Sequence, residues 1–455
     1  MTYLALDYGT SYIKTAILDT GNRIIHGRKR FPALQKRQGR ETRHEIDAEL
    51  LWQQVRDITN EYLKNYGIPD GILISTQMHG FILTDDTGHP VTPYVSWQDE
   101  RCLEKKGGKS SYACLEEIIK PSDMANTGVN LKPNLGMCNL YTLLREETIF
   151  SGSRLCTLGS YIIQRMTGNN ICHISNAAPM GLVDLLTGEW CFSLIRKIGF
   201  HELIFPEITA GFKPCGTYLY NQKGIPVYPD LGDHQASILG SLTRPDEDIN
   251  INIGTAGLIG VITNGYNPWD GETRPLFGNW YINTVRGLFG GRDIDVLTGF
   301  LGECVSSVTG TSVEPKQIWK LIGTIQDKNE LAENSLCVNN AFYTNGAIMG
   351  INHNNFTFSS LISALYSSAA KDYSEAFNCI DQHTDIRNII FSGGAACKNP
   401  ALMKRIAEEI GCSWECSPVQ DEVMLGLFRA ALLCSGEFQN IQDTIERARI
   451  VTILE

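Results

Sequence analysis

Several things are missing from this sequence, and each absence narrows what the chain can be. No apolar stretch approaches the length needed to span a bilayer, and the N-terminus has no basic segment followed by an apolar one, so no secretory leader is expected. No G-x-x-x-x-G-K-[ST] run occurs, which excludes a P-loop enzyme. The 14 Cys include no C-x-x-C pair; Cys412 and Cys416 come nearest, and neither has a His or Cys partner at zinc-finger spacing. Scattered thiols of this kind read as small buried side chains in a reducing cytosol, so the expected location is cytoplasmic. Positive charge is also scarce: 39 Lys and Arg face 50 Asp and Glu, a formal net charge of −11. That balance argues against nucleic acid or an anionic membrane as the main partner. A locally positive pocket for an anionic cofactor remains compatible with it.

What is present describes an ordinary globular protein, 43% hydrophobic and 20% charged. At 455 residues it is longer than one core usually sustains, so two domains are expected. Short β-branched runs alternate with longer amphipathic segments, the pattern of an α/β fold. Residues 2–6 and 12–18 read as a hairpin and "GILIST" (71–76) as a buried strand. Residues 47–66 read as a helix capped by Asp47, with Leu50, Leu51, Val55, Ile58 and Tyr62 on one face. Residues 399–411 read as a second helix, with Asn399 as cap, Pro400 at its first position and Gly411 closing it.

An internal repeat organises the whole. "INIGTAGLIGVITNG" (251–265) lies on "ALDYGTSYIKTAILDTG" (5–21) at a constant offset, with Gly254 on Gly9 and Thr255 on Thr10. Both copies are strand, Gly-Thr turn, strand, then a turn ending in Gly. Two domains that each open on a hairpin explain this. The boundary is expected just before residue 249, in the polar "TRPDED" (243–248), giving domains 1–246 and 247–455. The copies differ at one position, where Asp7 aligns with Asn252. Only the first hairpin keeps the carboxylate, so the two turns should have different jobs.

The candidate chemistry follows from residue types at bends and strand ends. Asp7-Tyr-Gly-Thr10 supplies a cation ligand, a bare backbone N–H and a hydroxyl, which suit a metal-bound phosphate. Read alone it is also an ordinary turn set. Paired with Gly254-Thr255 it offers donors to a polyphosphate from two turns. Gly393 and Gly394 end the strand of "NIIFSGGAACKNP" (388–400) and let another group approach the backbone; a turn that needs positive φ would ask for the same residues. Asp233 follows Gly232 at the head of an apolar helical run, where it can serve as a helix cap, a proton acceptor, or both. Gln77, Met78 and His79 end the strand of "ISTQMHGFIL" (74–83), the place where α/β sheets bind ligands. "VSWQDERC" (95–102) adds Trp97, Asp99 and Arg101, a flat apolar face with hydrogen-bonding groups that would suit a sugar or form a solvated loop over a buried Trp.

These motifs, in this order along the whole chain, resemble the FGGY carbohydrate kinases. Asp7-Tyr-Gly-Thr resembles the first phosphate motif and Gly254-Thr255 the second. Gln77-Met-His-Gly resembles the sugar-contacting motif of the xylulokinase branch, and Gly232-Asp233 the catalytic segment. Gly393-Gly394-Ala395 with Asn399 is similar to the adenosine motif, and "QDEVMLGLFRAAL" (420–432) to the late helix. Trp97-Gln98-Asp99-Glu100-Arg101-Cys102 is most similar to the sedoheptulokinase pattern, which carries Gly where this chain has Glu100. His234 after the catalytic-type Asp is a second departure.

The resemblance implies two duplicated ribonuclease H-like domains of the actin/Hsp70/hexokinase type with a ligand cleft between them. It implies ATP and Mg²⁺ as cofactors and phosphorylation of a ketose such as sedoheptulose, with xylulose, glycerol or gluconate as other substrates. Asp233 would be the general base, Asp7 the Mg²⁺ ligand, and Gln77, Met78, His79, Trp97 and Asp233 the sugar contacts. Thr10, Gly254 and Thr255 would hold phosphates, and Gly393, Gly394, Ala395 and Asn399 the adenosine. The sugar would then belong to the first domain and the adenosine to the second, and both ligands would favour closure. The expected partners are small molecules, with a homodimer as the oligomer considered. A non-kinase ATPase of the same superfold and a silent sugar-binding relative are the rival classes; a silent relative would have no reason to keep both Asp7 and Asp233.

Overall fold

Strands Thr2–Tyr8 and Tyr12–Asp19 form the expected hairpin, paired antiparallel from Thr2 opposite Asp19 to Tyr8 opposite Ile13. Gly71–Thr76, buried at every position, runs parallel to the first strand, as an inner strand covered on both faces should. The sheet continues to seven strands in the order Gly216–Tyr220, Lys223–Gly232, Gly71–Thr76, Thr2–Tyr8, Tyr12–Asp19, Ile24–Pro32, Thr452–Ile453. The protein is described by a computed structural model that covers all residues except 147–150, 246, 328–335, 343–344, 381–387, 397, 418–420, 448–450 and 455. Asp246 of the expected boundary, Cys397 after the Gly pair and Gln420 of the late segment lie outside the described residues.

Helix Ala48–Tyr66 covers this sheet. Asp47 caps it by accepting from the backbone N–H groups of Glu49 and Leu50, and Gly67 ends it at φ +86°. Leu51, Trp52, Val55, Ile58, Tyr62 and Leu63 are buried and join a core with Leu4, Leu6, Ile72 and Ile74. Leu50 is not on that face as expected: it is 52% exposed. Its side chain points about 100° around the helix from Leu51, beyond the edge of the buried stripe.

Packing divides the chain into two compact units, the first made of Met1–Thr243, Thr263–Ile282 and Val419–Glu455, the second of Arg244–Ile262 and Asn283–Pro418. The change at residue 243 lies beside the linear boundary read from the sequence, but the last segment groups with the first unit. The reason is a helix crossing. Gly240 on helix Asp233–Ser241 and Gly426 on helix Glu422–Cys434 face each other's backbones, and a Cβ on either would collide with the Glu422 or Ala236 carbonyl. Only glycine allows so close an approach. Arg429, fully buried on the second helix, donates to the Leu239 and Leu242 carbonyls at the end of the first.

The second unit repeats the plan of the first. Asp248–Ile253 pairs antiparallel with Gly257–Asn264 and parallel with Asn388–Ser392, which pairs parallel with Ser413–Cys416. Helices Phe358–Ile380 and Pro400–Ile410 pack together beside these strands. Helix Pro400–Ile410 ends at Gly411 in the left-handed conformation, as expected, but Asn399 makes no side-chain cap bond. Its amide instead accepts from the Tyr366 hydroxyl at 3.0 Å and donates to the Ala395 carbonyl. Among the described residues no helix is long and apolar enough to cross a membrane, and no cysteine is disulfide-bonded.

Candidate active site

In the first unit, the hairpin turn and two strand ends gather most of the residues singled out above. Asp7 lies opposite Lys14 in the hairpin and beside Ser75 in the parallel strand. It is buried, its Oδ1 has no hydrogen-bond partner, and Lys14 Nζ stands 3.7 Å from Oδ2. Burial pushes this carboxyl up to about 7; Lys14 pulls it down, and the charges of Asp233 and Asp421 push it further up. Lys14 is itself held by Asp421 at 3.1 Å, and Arg28 reaches the other Asp421 oxygen at 3.2 Å.

Thr10, exposed at the turn, links two of the other motifs. Its hydroxyl donates to Gln77 Oε1 at 3.3 Å and accepts from Trp97 Nε1 at 3.2 Å. The structure thus brings Thr10, Gln77 and Trp97 together. His79 follows at φ +68°, a left-handed backbone that turns the chain at the end of Gly71–Thr76. Gly80 is required next to it, because a Cβ there would meet the Tyr94 ring. Met78 is buried, with its sulfur against the Cα face of Gly232. Asp233 is half-buried at the first position of its helix, with Gly232 as the capping residue; its Oδ1 accepts from the His234 N–H at 2.8 Å.

The 95–102 loop needs one correction. Trp97 is 40% exposed, so the loop does not cover a buried Trp. Asp99 and Arg101 are not offered to a ligand. Arg101 Nε and an Arg101 terminal nitrogen donate to the two Asp99 oxygens at 2.7 and 2.8 Å, and that nitrogen also reaches Glu45 at 2.7 Å. Asp99 further accepts from His44 N–H at 2.7 Å. This buried, fully bonded pair anchors the loop that presents Trp97.

In the second unit, Gly254 and Thr255 form the turn between Ile253 and Gly257, one residue shorter than the turn between Tyr8 and Ile13. Gly393, at φ +89°, packs on this turn, and a Cβ there would lie 2.6 Å from the Ile253 carbonyl. Ala395 N–H donates to the same carbonyl at 3.0 Å. Gly394 and Ala395 line a cavity of about 770 Å³ with Trp319, Lys316, Lys320, Thr324 and Lys398. Asn399 lies beneath them, 1% exposed, so its part is to hold Ala395 rather than to face a ligand.

Residues 2–240, more than half of the chain, match the sequence profile described as "FGGY family of carbohydrate kinases, N-terminal domain". The chain belongs to the FGGY family of carbohydrate kinases. It is 24% identical to the xylulose kinase of Staphylococcus xylosus over 57% of this chain and 55% of that protein. It is 24% identical to the glycerol kinase of Aquifex aeolicus over 99% of this chain and 93% of that one. The chain therefore spans about half the length of some curated relatives and nearly all of others. The xylulose kinase of Rhodospirillum rubrum shares its fold at a TM-score of 0.83 and 18% identity, covering 98% of this chain and 92% of that one. A glycerol kinase of Plasmodium falciparum, solved with ADP, follows at 0.81 and 17%, covering 99% and 92%. The fold is the family's pair of ribonuclease H-like domains.

Sequence reasoning missed three features around these candidate sites. Lys14 sits seven positions after Asp7, and the turn's pairing alone could have set it opposite. Trp319 and its flanking lysines lie on helix Pro315–Asp327, far in sequence from the glycines they join. Gly290 and Gly291 open helix Gly291–Thr309 against the second turn: Gly291 N–H donates to Gly254 O at 2.8 Å and Arg292 N–H to Thr255 O at 3.0 Å. The "FGGRD" run (289–293) was the available signal.

Proposed function

We propose that this protein transfers the γ-phosphoryl group of ATP to a hydroxyl of a ketose, with sedoheptulose or xylulose as the sugar. The observation that carries the reading is the Thr10 hydroxyl, bonded to both Gln77 and Trp97, which joins a phosphate-type turn to the sugar-type motif in one cluster. Asp233 accepts the proton of the attacking hydroxyl, as a carboxylate within hydrogen-bond reach can. Gln77, Met78, His79 and Trp97 orient the sugar, the Trp97 ring offering its face to the C–H groups. The turns at Thr10 and at Gly254-Thr255 donate to the phosphates, and Gly393, Gly394, Ala395 and Trp319 receive the adenosine, with Asn399 fixing Ala395.

Mg²⁺ fits the residues present. The partnerless Asp7 Oδ1, buried beside the turn, is a ready oxygen ligand, and Mg²⁺ takes few carboxylates alongside substrate phosphates. When bound it neutralises phosphate charge. Lys14 Nζ, 3.7 Å from Asp7 Oδ2, partly offsets the carboxylate's own charge.

Xylulose stands ahead of glycerol and gluconate as the second reading because Gln77-Met78-His79-Gly80 resembles the sugar motif of the xylulokinase branch; the relatives themselves include both xylulose and glycerol kinases. Cytoplasmic location and small-molecule partners belong to the same proposal. The test is ATP consumption against a panel of ketoses and polyols, with Asp233→Asn in parallel. The variant should lose turnover by about 10²–10⁴-fold and still bind ATP. Near-normal kcat would return Asp233 to a helix-start role.

A further inference from the structure

Strand Lys223–Gly232 leads to Asp233 and carries a second carboxylate that the proposed reaction does not use. Asp230 is completely buried. The register against the neighbouring strand slips just before it: Val227 pairs with Ile72, but Asp230 pairs with Ile74, so this strand bulges by one residue. Bulges next to active sites re-aim the side chain that follows. Room for the carboxylate is made by Gly159, where a Cβ would collide with it.

Three donors meet Asp230. His173 N–H reaches Oδ1 at 2.9 Å, Asn176 Nδ2 reaches Oδ2 at 2.8 Å, and the Thr157 hydroxyl reaches Oδ2 at 3.4 Å. All three are neutral, and burial pushes the carboxyl up to about 7. Among the described residues no cation is paired with it; a buried acid held this way is an expensive means of fixing a strand, and an apolar side chain would serve packing better.

The residues it holds lead back to Asp233. Ser175 Oγ accepts from Gly232 N–H at 3.0 Å, and the Ser175 carbonyl accepts from Gln235 Nε2 at 3.5 Å. Asn176 Nδ2 also donates to Thr76 Oγ1 at 3.2 Å, beside Gln77. One short turn, 173–176, is therefore tied to residues before and after Asp233 and to the strand end that carries the sugar motif.

We propose that Asp230 is a positioning residue: it locks the 173–176 turn, and that turn fixes the Gly232–Asp233 backbone so that the base meets its hydroxyl in one orientation. The inference rests on the reading of Asp233 as the base. Misplacement by about 1 Å can lower a rate by about 10²-fold. In steady-state assays of the full chain, normalised to folded protein, Asp230→Leu should lower kcat about 10- to 100-fold with the ATP KM unchanged. Asp230→Asn keeps an oxygen for the His173 N–H but sets an NH2 against Asn176 Nδ2, so its kcat should lie between those of the Leu variant and wild type. Wild-type kcat in Asp230→Leu, or an Asn variant as slow as the Leu variant, overturns the proposal. If Asp230→Leu does not fold, Ser175→Ala removes the acceptor of Gly232 N–H together with the 2.8 Å bond between Ser175 Oγ and His173 Nδ1 inside the turn, and should lower kcat about tenfold at unchanged ATP KM; no change in kcat overturns the proposal. Asp233→Asn in the same assay separates the two claims. An inactive Asp233→Asn beside a fully active Asp230→Leu sinks the positioning role alone, whereas an active Asp233→Asn sinks the base assignment beneath it.

Discussion

The two Gly-Thr hairpins share strand order and a parallel neighbour, yet the polar residue ahead of each turn meets different surroundings. Asp7 is buried opposite Lys14 and beside Ser75. Asn252 is half-buried opposite Leu258 and donates to Ser392 Oγ at 2.9 Å. An amide at this position is satisfied by one hydroxyl. A carboxylate there is raised to about 7 by burial and needs a cation, which Lys14 only partly supplies. Duplication kept the frame and placed the charge once. The carboxylate is the destabilising choice for the fold, and the proposed Mg²⁺ role would account for its presence in one copy.

The sharpest way to break the contrast is Asp7→Asn, which gives the first hairpin the residue of the second. Turnover should fall, and the Mg²⁺ concentration for half-maximal rate should rise, by more than the roughly 10–100-fold typical of residues one step removed from a metal. Mg²⁺ titration of initial rates measures it, and a wild-type response would make the hairpins equivalent. The same variant should be more stable than wild type at pH 8. Asp7 is raised from 3.8 to about 7, so the folded state keeps this proton to higher pH than the unfolded state does. Wild-type stability is therefore fully present below about pH 4 and is lost as pH rises through 7. The gap at pH 8 should be on the order of a few kcal/mol and should narrow as pH falls below 7, closing near pH 4, read from thermal melts across pH.

Gly254→Ala sharpens the comparison from the other side. A Cβ there meets nothing nearer than Asn252 Oδ1 at 3.4 Å, so the fold does not require this glycine. The melting temperature should hold while ATP-analogue affinity falls by about tenfold, because the added methyl keeps the phosphate from the backbone N–H and so costs about one hydrogen bond to a charged group. Unchanged affinity in calorimetry would remove this turn from the phosphate site. The smallest effect belongs to Asn252→Asp, with a stability change of about 1 kcal/mol and no change in Mg²⁺ requirement. A new metal dependence would show that the second turn can serve the cation after all.

Local patterns carried the frame. The hairpins, the buried run 71–76 and the Asp47 cap each depend on neighbours within a few residues, and each was readable from sequence. Leu50 was misread because its exposure turns on the width of a stripe that only the packed sheet defines. Asp99 and Arg101 looked like ligand groups because their types suit a sugar, whereas their partnership with each other and with Glu45 exists only after the loop folds. Asn399 was read as a cap from its place before Pro400; Tyr366 and the Ala395 carbonyl claim its amide instead. Asp230 escaped notice three residues from Asp233 because nothing in a sequence announces a bulge.

The crossing at Gly240 and Gly426 has a consequence for synthesis. Residues 1–243 of the first unit are made before the second unit, but their helix Asp233–Ser241 waits for helix Glu422–Cys434, and their sheet edge waits for Thr452–Ile453. The second unit, ending near residue 418, is complete before either exists. The nascent chain should therefore carry a finished insert inside an unfinished host, with the flank of Ala236 and Leu239 uncovered until helix Glu422–Cys434 is made. A chain cut after 418 should hold its second half and lose its first.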